Sequence, residues 1–207
     1  MPEQIIQQEL GQAVVEAITA FASKDIPPIE DIERTTFEHV RNVRLRKALA
    51  TTLHGARWLY KLGLVTLATS ERRAAHVRAQ IIDYAAICEG LLSDAIAHLI
   101  ASRRATGSEY KRDLRGRPFT WPQGVGPVER IIEKRSFGWL IGVARDEGIV
   151  TPSEKSDLDW LREERNKVHV RRLVSAGRNA YLSTSKKAFD VMLRCGDATR
   201  RWRTTHP

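Results

Sequence analysis

An all-α fold, an up-and-down bundle with an extra helical segment at its N-terminal end, is what the sequence predicts. Apolar residues recur at three- and four-residue steps through every long segment, and Gly/Pro-rich stretches separate those segments cleanly. The length of 207 residues, 42% of them hydrophobic, suits one core and not two unrelated ones.

Residues 3–23 place Ile6, Leu10, Val14, Ala17 and Phe21 on one helical stripe, which stops at the Pro27-Pro28 pair. A second helix is expected to start at Thr35 or Thr36, either of which can cap it, and to run to about Thr69 along Val40, Leu49, Leu53, Ala56, Tyr60, Leu64 and Leu67. Arg41, Arg44, Arg46 and Lys47 form a basic patch on its first half, for which a solvated face is the default reading. Residues 71–104 give the strongest helix, with Ile81, Tyr84, Ala85, Cys88, Leu91, Leu92, Ala95 and Leu99 on its buried side.

Periodicity then fails over residues 103–126, RRATGSEYKRDLRGRPFTWPQGVG, a long basic connection. Its cations, Arg112, Arg115 and Arg117 among them, are interleaved with Tyr110, Phe119 and Trp121. Those residue types suit RNA phosphates and bases; equally, the aromatics can fold back onto the bundle. Beyond Pro127 come one or two short helices with Phe137, Leu140, Ile141 and Ala144 on one face and Gly148 as the stop. Thr151-Pro152-Ser153-Glu154 has the pattern of a capping box with proline at the first helical position. The last helix spans residues 185–203 with Ala188, Val191, Met192, Cys195, Thr199 and Trp202 inward, and the tail RRWRTTHP is expected to fray.

The net charge of +9 favours polyanionic partners, nucleic acid first and acidic protein second. Cys88 and Cys195 both lie on apolar stripes, so neither a disulfide framework nor a zinc site is indicated, and no phosphate-binding glycine motif or cofactor signature occurs. The N-terminus lacks the pattern of a signal peptide and no segment looks long enough to span a bilayer; a cytoplasmic chain without a membrane partner is expected.

Chemistry concentrates in LDWLREERNKVHVRR, residues 158–172. Leu158, Leu161 and Val168 make an apolar seam, but Arg165 occupies a step of it, and at 100° per residue Arg162, Arg165 and His169 share a narrow arc with Asn166 beside them. Lys167, Arg171 and Arg172 add positive charge suited to RNA phosphates. An arginine on a seam has two readings: it snorkels or pairs with a carboxylate, or it serves a ligand. Glu89, in YAAICEGLLSDAIAHLI, is either a partly exposed helix residue or the partner of Arg165 or Arg162.

The run Arg165-Asn166-Lys167-Val168-His169 resembles the arginine, polar residue and histidine signature of HEPN domains (higher eukaryotes and prokaryotes nucleotide-binding). Glu89 ahead of Gly90-Leu91-Leu92, and SFGWLIGVARDEGIV just before the motif helix, resemble two further features of that family. The likeness covers residues 80–205 and divides the chain into an extension, residues 1–70, and a HEPN-like bundle, residues 71–207. Three residues separate Arg165 from His169, fewer than is usual in the family, whereas six separate Arg162 from His169, so either arginine can hold the family role. Val170 and Arg171 stand where some antitoxin-paired relatives carry a tyrosine.

The resemblance implies a metal-independent endoribonuclease without a cofactor, a homodimer whose motif helices face each other, checked by an antitoxin or sensor protein in a toxin or phage-defence setting. The alternative is a non-catalytic nucleotide- or RNA-binding or dimerisation module acting as a protein adaptor.

Overall fold

The computed structural model describes residues 11–66, 70–112, 117–167 and 182–206, and among them there are eight α-helices and no strand. They are α1 (Gln12–Ser23), α2 (Ile29–Thr35), α3 (Val43–Val65), α4 (Ser70–Ala101), α5 (Val125–Ile132), α6 (Phe137–Asp146), α7 (Pro152–Lys167) and α8 (Leu182–Thr205).

Helix α4 is the axis. Over its second half Ile87, Cys88, Leu91, Leu92, Ala95, Ile96, Ala97, Leu99 and Ile100 are all buried, so it is apolar around most of its circumference and needs neighbours on every side. It has them in α3, α5, α6, α7 and, most extensively, α8. By length and a mean hydropathy of 1.3 the stretch Arg72–Ala101 would suffice to cross a bilayer, contrary to the expectation from sequence, but 67% of its most apolar window is covered by the other helices. Cys88 and Cys195 are free, buried thiols on α4 and α8.

Three expectations need correction. The second helix does not start at Thr35 or Thr36. A short helix, α2, ends there, Phe37 and Val40 turn into the core, and α3 starts only where the Asn42 side chain accepts from the Leu45 N–H at 3.1 Å. On α1, Val14 and Phe21 are 49% and 42% exposed, and Ala22 is the buried residue, because only α3 covers this helix among the described elements. The tail is not frayed at Trp202: that indole is 6% exposed, and α8 continues to Thr205. Phe37, Val40, Leu49 and Leu53, all from the segment drawn as an extension, lie in the same buried cluster as Leu91, Leu161 and Met192.

The basic connection is folded and clipped to the bundle. Arg103 takes a left-handed φ of 57° and ends α4. The two carboxylates at the end of α6 then hold four successive backbone N–H groups. Glu147 accepts from Thr106 and Gly107 at 3.0 and 2.8 Å, and Asp146 from Ser108 and Glu109 at 2.6 and 3.1 Å. Those bonds offset the repulsion of two carboxylates from a helix C-terminus. A β-carbon on Gly107 would lie 2.1 Å from Asp146 Oδ2, so a side chain there would push the clipping carboxylates aside. The aromatics fold back: Trp121 Nε1 donates to the Tyr110 carbonyl at 2.7 Å, and the Phe119, Trp121 and Trp139 rings surround the Arg135 guanidinium at 5.5, 5.7 and 5.1 Å.

Candidate functional site

Helix α7 is positioned from its first turn. The Thr151 N–H donates to Glu154 Oε2 at 2.8 Å and the Glu154 N–H to Thr151 Oγ1 at 3.3 Å, the reciprocal pair that the sequence pattern predicts. Arg201 of α8 reaches Glu154 at 2.6 Å, and Arg194 reaches Asp157 at 3.0 Å, tying α8 to α7. Burial alone would raise the Glu154 pKa, but the Thr151 N–H and the Arg201 guanidinium bring it below the usual value. Leu158 and Leu161 are fully buried, which fixes the rotation of the helix and leaves its arginines at the edge of the packed face.

On that edge Arg165 Nη1 lies 2.7 Å from Glu89 Oε2 of α4, with the two side chains 35% and 26% exposed. Partly screened, the pair contributes less than about 1 kcal/mol to stability, yet it holds the guanidinium in one place while leaving it open to solvent. Glu89 is therefore a partner of the motif helix and not a bystander.

Arg162 goes elsewhere. Its Nη2 lies 3.3 Å from Asp159 on the same helix, and a β-carbon on Gly138 would approach its Nη1 to 2.8 Å, so the guanidinium lies across the backbone of α6. Asn166 is half-buried, and Lys167 is exposed and pairs with Glu164 at 2.5 Å. Arg112 and Arg117 are exposed on the clipped connection. His169, Arg115, Arg171 and Arg172 lie outside the described residues. The geometry thus joins Glu89 with Arg165 and separates Arg162 from that pair.

Sequence reasoning missed a second polar cluster, around Asp94. This carboxylate is 4% exposed and accepts from the Asn42 and Arg41 N–H groups at 3.1 and 3.3 Å and from Arg203 Nη2 at 2.7 Å. It therefore ties the start of α3 and the end of α8 to α4. An aspartate inside the apolar run LLSDAIAHLI, with His98 one turn on, was the available signal.

Nearby, Thr199 Oγ1 lies 3.0 Å from His39 Nε2 and within hydrogen-bond distance of the Cys195 and Gly196 carbonyls, while His39 Nδ1 is buried without a partner among the described residues. Burial and then the Arg200 charge push the His39 pKa down to about 4, against opposing pulls from Asp94 and Asp197. Burial lowers His98 as well.

A pH dependence follows. The unfolded chain protonates these imidazoles near 6.5 while the folded chain resists, so stability is whole above pH 6.5 and falls as pH drops toward 4. Allowing for screening at the partly exposed ring, His39 accounts for about 2 kcal/mol of the loss. Urea midpoints measured between pH 7.5 and 4.5 should fall accordingly, and less steeply in His39→Gln.

No family model matches the chain, and no curated protein or solved structure is significantly similar to it.

Proposed function

We propose that this chain is a metal-independent endoribonuclease of the HEPN type. The observation that supports it best is the Glu89–Arg165 pair, which fixes a solvent-accessible guanidinium on the last described turn of α7, four residues before His169. Arg165 is taken for the family role because its carboxylate partner lies on another helix, whereas Arg162, equally exposed, pairs with Asp159 on its own helix and remains the alternative.

The chemistry needs few parts. His169 takes the proton of a ribose 2′-hydroxyl, and the 2′-oxygen attacks the adjacent phosphorus. Arg165 stabilises the charge that develops on the phosphorane oxygens, and Asn166 orients the phosphate. The phosphorus–5′-oxygen bond breaks, the leaving oxygen takes up a proton, and the products are a 2′,3′-cyclic phosphate and a 5′-hydroxyl. DNA, without the 2′-hydroxyl, is left intact. A homodimer with its motif helices facing, held in check by an antitoxin or sensor protein, belongs to the same proposal.

One observation also favours a second reading. The Glu89–Arg165 ion pair is what a structural adaptor would use to hold α7 on α4. Incubation of mixed RNA with purified protein in excess EDTA separates the two. Cyclic phosphate ends from wild type and a loss of cutting of at least about 100-fold in folded His169→Ala are expected. Absence of cleavage in both, with RNA binding indifferent to Arg165, would leave the adaptor.

A further inference from the structure

The clipped connection builds a groove that the ribonuclease reading does not use. It has a volume of about 310 Å³, near the lower end of small-molecule sites, and it opens beside the C-terminus of α4. The half-buried rings of Tyr110, Phe119 and Trp121 form its walls, and exposed Arg103 and Lys111 stand at its rim. Lys111 Nζ lies 5.6 Å from the centre of the Tyr110 ring, and Arg135 supplies a further positive charge behind Phe119 and Trp121.

We propose that this groove holds an unpaired nucleotide of single-stranded RNA, its base against the aromatic walls and its phosphates on Arg103 and Lys111. The inference rests on the ribonuclease reading for its choice of RNA as the ligand.

Charge selects the occupant. Another groove, of about 260 Å³, is lined by Glu30, Glu33 and Glu38 together with Arg34 and Arg46, and its three carboxylates disfavour an anion. In the aromatic groove no carboxylate is present among the described lining residues. The walls are rigid, because Trp121 is bonded to the Tyr110 carbonyl, Tyr110 Oη donates to the Ala105 carbonyl at 3.1 Å, and the backbone ahead of them is clipped by Asp146 and Glu147. Rigid aromatic surface beside cations is what base stacking with phosphate contact requires. Thr120 and Gln123, both exposed, add polar groups to the lining of the groove.

A polymer fits better than a free nucleotide. Arg112, exposed and next to Lys111 in the chain, continues the basic surface of the same segment. The groove also adjoins the motif helix through α6: Trp139 lies 6.1 Å from Trp121, and its neighbour Gly138 packs against Arg162.

The test uses the full chain carrying His169→Ala, with a fluorescein-labelled uridine oligonucleotide read by anisotropy at several salt concentrations. Adding Arg103→Ala and Lys111→Ala should weaken binding about tenfold and reduce the slope of log affinity against log salt by about 1.4, two single-strand charges' worth. Both side chains are exposed, so the fold is retained, as circular dichroism will show. Light-induced crosslinking with 5-iodouridine in the oligonucleotide should mark Tyr110, Phe119 or Trp121.

Unchanged affinity and slope in the double variant, or crosslinks confined to residues outside the groove, overturn the proposal. Uridine monophosphate competing as well as the oligonucleotide overturns the polymer. The same substitutions in a chain with His169 intact keep the two readings apart. Cleavage with wild-type binding and no dependence on Arg103 or Lys111 sinks the groove alone. Groove-dependent binding with no cleavage supports the groove and removes the nuclease.

Discussion

Asp94→Ala is expected to destabilise the protein by about 3–5 kcal/mol, read as a fall in the urea midpoint at unchanged slope. The substitution leaves Arg203, whose side chain is 12% exposed, without the carboxylate 2.7 Å away. It also strips the Arg41 and Asn42 N–H groups of their acceptor. Burial already works against the Arg203 charge, lowering its pKa, with Asp94 pulling the other way. A guanidinium stranded in this position costs more than the pair contributes when intact. Asp94→Asn retains an acceptor for one N–H and should lose about half as much. Arg203→Met leaves the Asp94 carboxylate without its cation but still accepting from the Arg41 and Asn42 N–H groups, and should cost less than Asp94→Ala, which strands all three donors. A loss under about 1 kcal/mol for Asp94→Ala would mean that α3 and α8 are held by apolar packing alone.

That clamp shows where sequence patterning runs out. Period locates α4, α6 and α8 because those helices bury regular stripes, and the capping pattern locates α7, where the Thr151–Glu154 pair forms as the pattern says. They fail between residues 29 and 43, where helix type is settled by tertiary contact. Val40 reads as the start of a stripe, yet it and Phe37 are buried from a turn, and the break is enforced by Asp94, 52 residues beyond Asn42, accepting from Asn42 N. No local window contains that acceptor. Charge reads just as poorly: Arg203 looks like part of a solvated basic tail and is instead half of a buried pair.

The site was legible in part. The placement of Arg165 on an apolar seam and Glu89 on the opposed helix made their pairing one of two open readings, and the 2.7 Å contact selects it. Nothing in the local spacing separated Arg162 from Arg165, because both sit on the same arc of α7. The difference arises from Gly138, which lets α6 approach closely enough to take up Arg162. In the basic connection the aromatics were legible as residue types. Their arrangement around Arg135 was not, since it depends on α5 and α6 arriving from later in the chain.

If Arg165 stabilises the transition state, Arg165→Ala should lower kcat for RNA cleavage by about 10²–10³-fold, the usual effect of losing one donor aimed at developing charge. The ion pair is too exposed for this variant to unfold the protein, and its stability should change by less than about 1 kcal/mol. On that premise Glu89 would act through Arg165, so Glu89→Gln should reduce kcat about tenfold and leave KM nearly unchanged. The double variant decides the matter. With Arg165 gone there is no guanidinium left to position, so Arg165→Ala/Glu89→Gln should cleave no more slowly than Arg165→Ala alone. A purely structural pair predicts the opposite pattern, in which neither substitution moves kcat and both shift the urea midpoint slightly. Arg162→Ala supplies the remaining comparison. Full loss there, with Arg165→Ala active, would transfer the family role to the arginine that packs on Gly138 and would make Asp159 its positioning partner.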